Sequence, residues 1–322
     1  MTRVVEADPA ILARIVAREP PTTYGGLSRE ALIKYDAAQA RTVWGRRHRR
    51  RFLLVEGDEV LASADRYDLS GMLDQQPVTI CGIAAVRTIG HDDASNHTGV
   101  LVDRLLQDAT RAGADLALLF QPTQPGSPVL QGFEAVPTMA AELTVTESAR
   151  YGAPMTLVRV GEDRDLEAIA TMGQVRAGRY RFHLDRDATF IKHATTRKRL
   201  LAGLGSAGAR QFEFVIAEEG ITAAAYVVIS VVGRTWMLEE CGDRDPSGAR
   251  VGALLQALIA REPVESRPLI QGWLPPGFLP PQVAVASETP AAPVLFARAL
   301  SSRVETLLLS VPDVLYWHND VF

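Results

Sequence analysis

Apolar and polar positions along this chain follow two periods, one near two and one near 3.6. Over residues 51–69, RFLLVEGDEVLASADRYDL, an apolar run at 52–55, a Glu-Gly-Asp-Glu turn and a second run at 60–64 predict a β-hairpin. A further strand is expected over 78–88. The polar segment GHDDASNHTG follows, and then VLVDRLLQDATRAG. There Val102, Leu105, Leu106 and Ala109 recur at helical spacing, with Gly113 where a C-terminal cap belongs. A buried strand is expected at 116–120 and a last one near 141–145. Two helices, at 9–18 and 29–43, precede the hairpin and are separated by a Gly/Thr-rich turn at 22–26.

The second half repeats this order. Helices are expected at 163–173 and 187–204. FEFVIAEEGITAAAYVVISV reads as strand, turn, strand, and RTWMLEECGDRD as a strand and polar loop. GARVGALLQALIARE is then a helix and 268–273 a strand. The hairpin begins at Phe52 and again at Phe212, and the helices centred near Leu105 and Leu258 keep nearly the same offset. Repetition at this length means tandem domains rather than a solenoid. The polar, Gly/Pro-bearing stretch 146–154 marks the boundary. The expectation is two α+β domains, 1–147 and 148–322, each a mixed sheet flanked by helices.

Composition narrows the function. The chain has 322 residues, 47% of them hydrophobic and 22% charged, with a net charge of -4. That is a globular composition, and the acidic balance argues against a nucleic-acid partner. The apolar stretch of MTRVVEADPAILARIV is broken by Glu6, Asp8 and Arg14, so no signal peptide is expected. The longest apolar run, 221–233, is too short for a bilayer, which needs about 20 residues. A cytoplasmic protein without a membrane partner is expected. Cys81 and Cys241 are the only cysteines and show no metal spacing. The six histidines have no i, i+4 pair, so no metal site is expected. There is no G-x-S-x-G elbow and no Walker loop. The basic run at 46–51 reads as a solvated loop feeding a strand; the other reading is a patch for coenzyme phosphates, an acidic acceptor or nucleic acid. HATTRKRL, 193–200, reads as an exposed helix face.

ICGIAAVRTI, VLVDRLLQDATRAGADLALLF and PGSPVLQGFEAVPTMAAEL together resemble the central strand, the following helix and strand, and the closing turn of the GCN5-related N-acetyltransferases (GNAT). The tandem layout, with YGAPMTLVRVGEDRDLEAIATM opening the second half, is similar to the enhanced-intracellular-survival type without its third domain. The resemblance spans nearly the whole chain in layout and is strongest over 78–145. It implies a GNAT fold, acetyl-CoA as acyl donor and a small-molecule amine as acceptor, with a homo-oligomer compatible with the type. Backbone groups of Ala85, Val86 and Arg87 would hold the pantetheine and the oxyanion. Asn96, His97, Thr98 and Gly99 would meet the pyrophosphate at a helix start, where free N–H groups favour anions. The base would be His91 or a main-chain carboxylate on Phe322, at the end of VLYWHNDVF.

The sequence departs from the family pattern in two places. The family's phosphate loop, Arg/Gln-x-x-Gly-x-Gly/Ala, is replaced by a stretch with Asp92 and Asp93, and Gly99 comes about three positions late. A tyrosine expected near Pro128, as acid for the departing thiolate, is absent. In the second half Gly248, Arg250 and Gly252 lie near a helix start, where the glycines serve either a phosphate or close packing. The tail at Phe322 either reaches the first domain or docks on the second. Three functions stay open: N-acetyl transfer by direct attack on the thioester, a degenerate GNAT-like module that binds a ligand or partner without catalysis, and other thioester chemistry.

Overall fold

A computed structural model describes residues 1–16, 26–89, 96–121, 127–136, 138–146, 157–206, 208–304 and 309–322. The chain divides into two compact units. One holds Met1–Pro137, Ala292–Ser310 and Phe322, the other Thr138–Ala291 and Val311–Val321.

The first unit opens with β1 (Thr2–Glu6), α1 (Pro9–Val16), α2 (Arg29–Arg41) and α3 (Val43–His48). It continues through β2 (Arg49–Glu56), β3 (Glu59–Leu73), β4 (Gln76–Thr88), α4 (His97–Arg111), β5 (Leu116–Gln121) and β6 (Glu134–Val136). The single helix expected over 29–43 is broken at Thr42. Its hydroxyl donates to the Gln39 carbonyl (2.9 Å) and accepts from the Gly45 amide (2.9 Å), ending one helix and capping the next. A Cβ at Gly45 would stand 2.2 Å from the Gln39 carbonyl, so this corner requires glycine. Further on, α4 forms as its periodicity predicts. It buries Leu101, Val102, Leu105, Leu106 and Ala109 against Leu54, Ala62, Ala64, Cys81 and Ile83 of β2, β3 and β4.

In the second unit come β7 (Met139–Val145), β8 (Leu157–Val160), α5 (Leu166–Ala177), β9 (Phe182–Leu184), α6 (Ala188–Leu204) and β10 (Arg210–Glu219). The core continues with β11 (Thr222–Val232), β12 (Thr235–Asp243), α7 (Ala249–Ile259), β13 (Leu269–Gly272) and β14 (Val283–Pro290). Then β15 (Val294–Ala299) returns to the first unit, and β16 (Val314–Leu315) pairs with β9 in the second. The second sheet runs β14-β7-β13-β12-β11-β10-β8, and the first runs β1-β2-β3-β4-β5-β15-β6. Both are mixed; along these two runs, among the described residues, the parallel steps are β4 to β5 and β12 to β13. The fold is α+β, and the predicted repetition is real: hairpin, strand, helix and parallel strand occur twice.

The strand near 141–145, expected to close the first domain, instead lies in the second sheet. There β7 pairs with β13 and β14, and Ala141 and Leu143 join the core around Trp236, Leu238 and Ile270. The corresponding place in the first sheet is taken by β15, antiparallel to both β5 and β6. Alternation of apolar residues shows a half-buried strand, but not its partner. The change of unit falls at 137/138; the expected boundary at 147/148 lies outside the described residues.

Two surface expectations are corrected. The basic run is no solvated loop: its first three residues end α3, and Arg49 and Arg51 lie on β2 with side chains only 7% and 17% exposed. The 193–200 segment is not an exposed face either. His193, Ala194 and Thr195 are buried, and Lys198 pairs with Glu239 at 2.7 Å.

Candidate functional site

In the first unit, β4 and β5 run parallel from Ile80↔Leu116 to Ile83↔Leu119, and there the ladder ends. Both strands go on, β4 to Thr88 and β5 to Gln121. Just past this point β4 bulges against its other neighbour. Asp65 pairs with Ala84 but Ser63 with Arg87, so Ala85 and Val86 together oppose Ala64. Ala85 has φ +48, a left-handed conformation that costs a non-glycine residue roughly 1–2 kcal/mol. Its side chain is exposed, and Val86 and Arg87 are half-buried. Strain of this kind in a strand that parts from its neighbour is a mark of functional backbone.

The helix that follows begins at the same end of the strands. Asn96 is its N-cap residue but makes no side-chain capping bond, and no acidic residue stands in its first turn. The amides of His97, Thr98 and Gly99 therefore belong to a helix start whose positive end is not neutralised by its own first turn. Gly99 is buried, and a Cβ there would lie 2.1 Å from the Asn96 side-chain oxygen. His91, Asp92 and Asp93 lie outside the described residues.

Phe322 is grouped with the first unit. Its ring packs on Gly82 of β4, where a Cβ would come within 2.8 Å of it. It lies 5.1 Å from the Tyr67 ring and 5.4 Å, edge-on, from Phe120 of β5. Of the predicted site residues, Ala85 and Val86 form the bulge and Arg87 is the paired residue after it, Asn96 to Gly99 share the helix start, and Phe322 packs on β4 three residues before the bulge.

Sequence reasoning missed the charge set beside this strand. Asp65 on β3 is 2% exposed and receives Arg49 Nε (3.1 Å) and Nη2 (2.7 Å), and Arg51 Nε (2.7 Å) and Nη2 (3.0 Å). Asp36 of α2 accepts from both guanidiniums, at 2.9 Å from Arg51. Burial alone would raise the Asp65 carboxyl, but the two arginines hold it down at about 2. The signal was present: Arg49, Arg51 and Leu53 alternate onto one face of a hairpin whose other strand carries an acid.

The second unit repeats the geometry and fills it. Its parallel ladder ends at Leu238↔Gly272, and β12 bulges at Glu239, between Leu238↔Ile229 and Glu240↔Val228. Glu239 and Glu240 are buried. Lys198 and His318 bind Glu239. Glu240 accepts from Arg186 (3.0 and 2.5 Å), from the Tyr226 hydroxyl (2.5 Å) and from Asn319 (3.0 Å). The start of α7 is already occupied by a carboxylate: the Arg250 amide donates to Asp243 Oδ2 at 2.9 Å. A Cβ on Gly248 would strike Phe278 at 2.6 Å, and one on Gly252 would strike Gln282 at 1.9 Å, so both glycines stand in close contact with the segment that follows β13.

No cysteine thiolate is available as a nucleophile. Burial pushes the Cys81 and Cys241 thiols up to about 12. Among the described residues no group of His, Cys, Asp and Glu could hold a metal ion. No helix among them is long and apolar enough to cross a membrane.

No protein-family model and no curated protein matches the sequence. Solved structures do match in shape. A GCN5-related N-acetyltransferase from Anabaena variabilis superposes over 94% of this chain and 73% of its own, at TM-score 0.67 and 12% identity. A probable N-acyltransferase of Enterococcus faecalis gives 93%, 72%, 0.66 and 12% in the same order. Eis1 of Mycobacterium abscessus gives 93%, 74%, 0.58 and 14%. The chain has the fold of the GCN5-related N-acetyltransferases.

Proposed function

We propose that the first unit transfers an acyl group from acetyl-CoA to a small amine by direct attack on the thioester. The observation that carries this reading is the strained bulge at Ala85, set where β4 parts from β5 and followed by a helix start to which Asn96 gives no side-chain cap. A gap between parting strands gives an extended pantetheine arm a backbone edge to bind. Amides of the bulge, held by the fold before reaction, stabilise the oxyanion that forms when the amine adds to the carbonyl. Ala85, Val86 and Arg87 take that role. Asn96, His97, Thr98 and Gly99 hold the pyrophosphate through amides and the helix dipole.

The amine loses its proton to His91 or, where residue 322 ends the chain, to the Phe322 carboxylate. The tetrahedral intermediate then expels the coenzyme thiolate, which takes up a proton. With both thiols buried and protonated, no acyl-enzyme on cysteine intervenes. The rival, a module that binds such a ligand without turnover, draws on Asp92 and Asp93 and on the missing tyrosine before Gly132.

Calorimetric titration with acetyl-CoA tests the reading, using Gly99→Asp and Gly252→Asp side by side. Both substitutions strike a side chain, Asn96 at Gly99 and Gln282 at Gly252, but only Gly99→Asp adds negative charge to the first turn of α4, so only there should affinity fall at least tenfold, or about 1.4 kcal/mol. Gly252→Asp should leave affinity unchanged while lowering stability, because it strikes Gln282. Binding lost only in Gly252→Asp would move the site to the second unit. Binding without coenzyme release in an amine screen would favour the rival, and no binding at millimolar acetyl-CoA would overturn both.

A further inference from the structure

The buried charge set of the first unit has a task beyond holding two strands together. Arg51 lies directly across from Asp65 in the β2–β3 ladder, and Asp65 directly across from Ala84 in the β3–β4 ladder. One cross-sheet row therefore runs from an arginine through an aspartate to the residue before the bulge. Asp36 of α2 closes the set from the helix side, so Asp65 faces α2, whereas Ala64 and Ile83 face the apolar core under α4. Slipping β3 by one residue against β4 would turn the Asp65 carboxylate into that core and strip it of both arginines. The charges thus penalise a one-residue slip of β3, and in the register they favour, with Asp65 opposite Ala84 and Ser63 opposite Arg87, the extra residue lies at Ala85–Val86.

Stability alone does not account for such a set. Removing two carboxylates and two guanidiniums from water offsets most of their attraction, and apolar side chains of similar volume would hold the strands as well. What apolar side chains would not supply is the penalty on a slipped register. An alanine in a left-handed conformation also persists only where its surroundings over-determine it.

We infer that Asp65, held by Arg49, Arg51 and Asp36, is a positioning residue for acyl transfer: it fixes the register that places the bulge amides at Ala85 to Arg87. This rests on the acyl-transfer reading for the function of the bulge, but not for its geometry. The two parts are tested separately.

Asp65→Asn keeps the shape and removes the charge. Amide hydrogen exchange at Ala85, Val86 and Arg87 should speed up about tenfold or more, while Leu116 to Leu119 of β5 keep their protection. In turnover assays kcat should fall about 10- to 100-fold, with KM for acetyl-CoA changed less than about threefold, the split expected when transition-state contacts are lost. Arg51→Lys, which keeps the charge, should retain more of both than Arg51→Gln. If Asp65→Asn unfolds the unit, the comparison between the two Arg51 variants carries the same test. Exchange at 85–87 that is unchanged in the variants overturns the inference. A wild-type protein with no turnover overturns the acyl-transfer reading and leaves the exchange result standing on its own.

Discussion

At the scale of single residues, Ala85 is the non-glycine residue with a left-handed conformation inside the β4 bulge; Asp74 and Gln75 adopt one in the turn between β3 and β4. Glycine adopts the Ala85 φ of +48 without the Cβ clash, and a β-branched side chain adopts it worst. Ala85→Gly should therefore be neutral or stabilising by up to about 1 kcal/mol, and Ala85→Val destabilising by about 1–2 kcal/mol. Urea unfolding read alongside acetyl-CoA binding checks this; a destabilised Gly variant would mean the conformation is not strained. Asp320 makes a pH argument in the second unit. Burial pushes it up to about 6, with Arg186 opposing and Glu240 adding repulsion. A folded-state value above the ordinary 3.8 favours the folded state when the carboxyl is protonated. That contribution is complete below about pH 3.8 and lost as pH rises through about 6. Asp65 and Glu239, both held at about 2, behave oppositely: their contributions exist above their ordinary values and vanish as pH falls toward 2. Of these three carboxylates, Asp320 is the one whose contribution changes between about pH 4 and 7. Asp320→Asn should flatten the thermal stability of the second unit across that window, and an unaltered slope would show that another group titrates there.

At the scale of elements, the strand, helix and strand around the site could be read from the sequence, because hydrophobic period fixes element type wherever one face is buried. Val102, Leu105, Leu106 and Ala109 announced α4, and the apolar runs at 52–55 and 60–64 announced the hairpin. The bulge was not readable, since alanine carries no left-handed signature and a glycine there would have. Arg49 and Arg51 misled for a related reason: a run of basic residues looks solvated unless the alternation beneath it is followed onto the partner strand. The contrast between α4 and α7 also needed coordinates. Both helices follow a polar stretch of sequence, and Asp243 accepts from the first turn of α7 while Asn96 makes no side-chain capping bond to α4. Asp243→Ala should consequently destabilise the second unit by about 1–2 kcal/mol, the usual cost of a lost cap, and leave acetyl-CoA affinity unchanged. Urea unfolding and calorimetry of the same preparation measure both, and a change in affinity would place the coenzyme at α7.

At the scale of the whole molecule, each unit has one free thiol in its core, Cys81 in the first and Cys241 in the second. Both should resist a thiol reagent in the native protein and react as their own unit opens. Single-cysteine variants would then report the two opening equilibria independently. Equal labelling rates at every denaturant concentration would show that the units open together.

The exchange of end strands carries a consequence for how the protein comes into being. A ribosome delivers the chain from the N-terminus, and most domains fold as they emerge. Here the first sheet cannot be finished in that way. Its β5 edge, Leu116–Gln121, must wait for Val294–Ala299, while the early strand Met139–Val145 waits for partners at Leu269–Gly272 and Val283–Pro290. For most of its synthesis the nascent chain carries an unsatisfied sheet edge, the kind of surface that invites chaperones or aggregation. Gene halves cut at residue 147 should each be poorly soluble alone and recover a cooperative fold only when translated together.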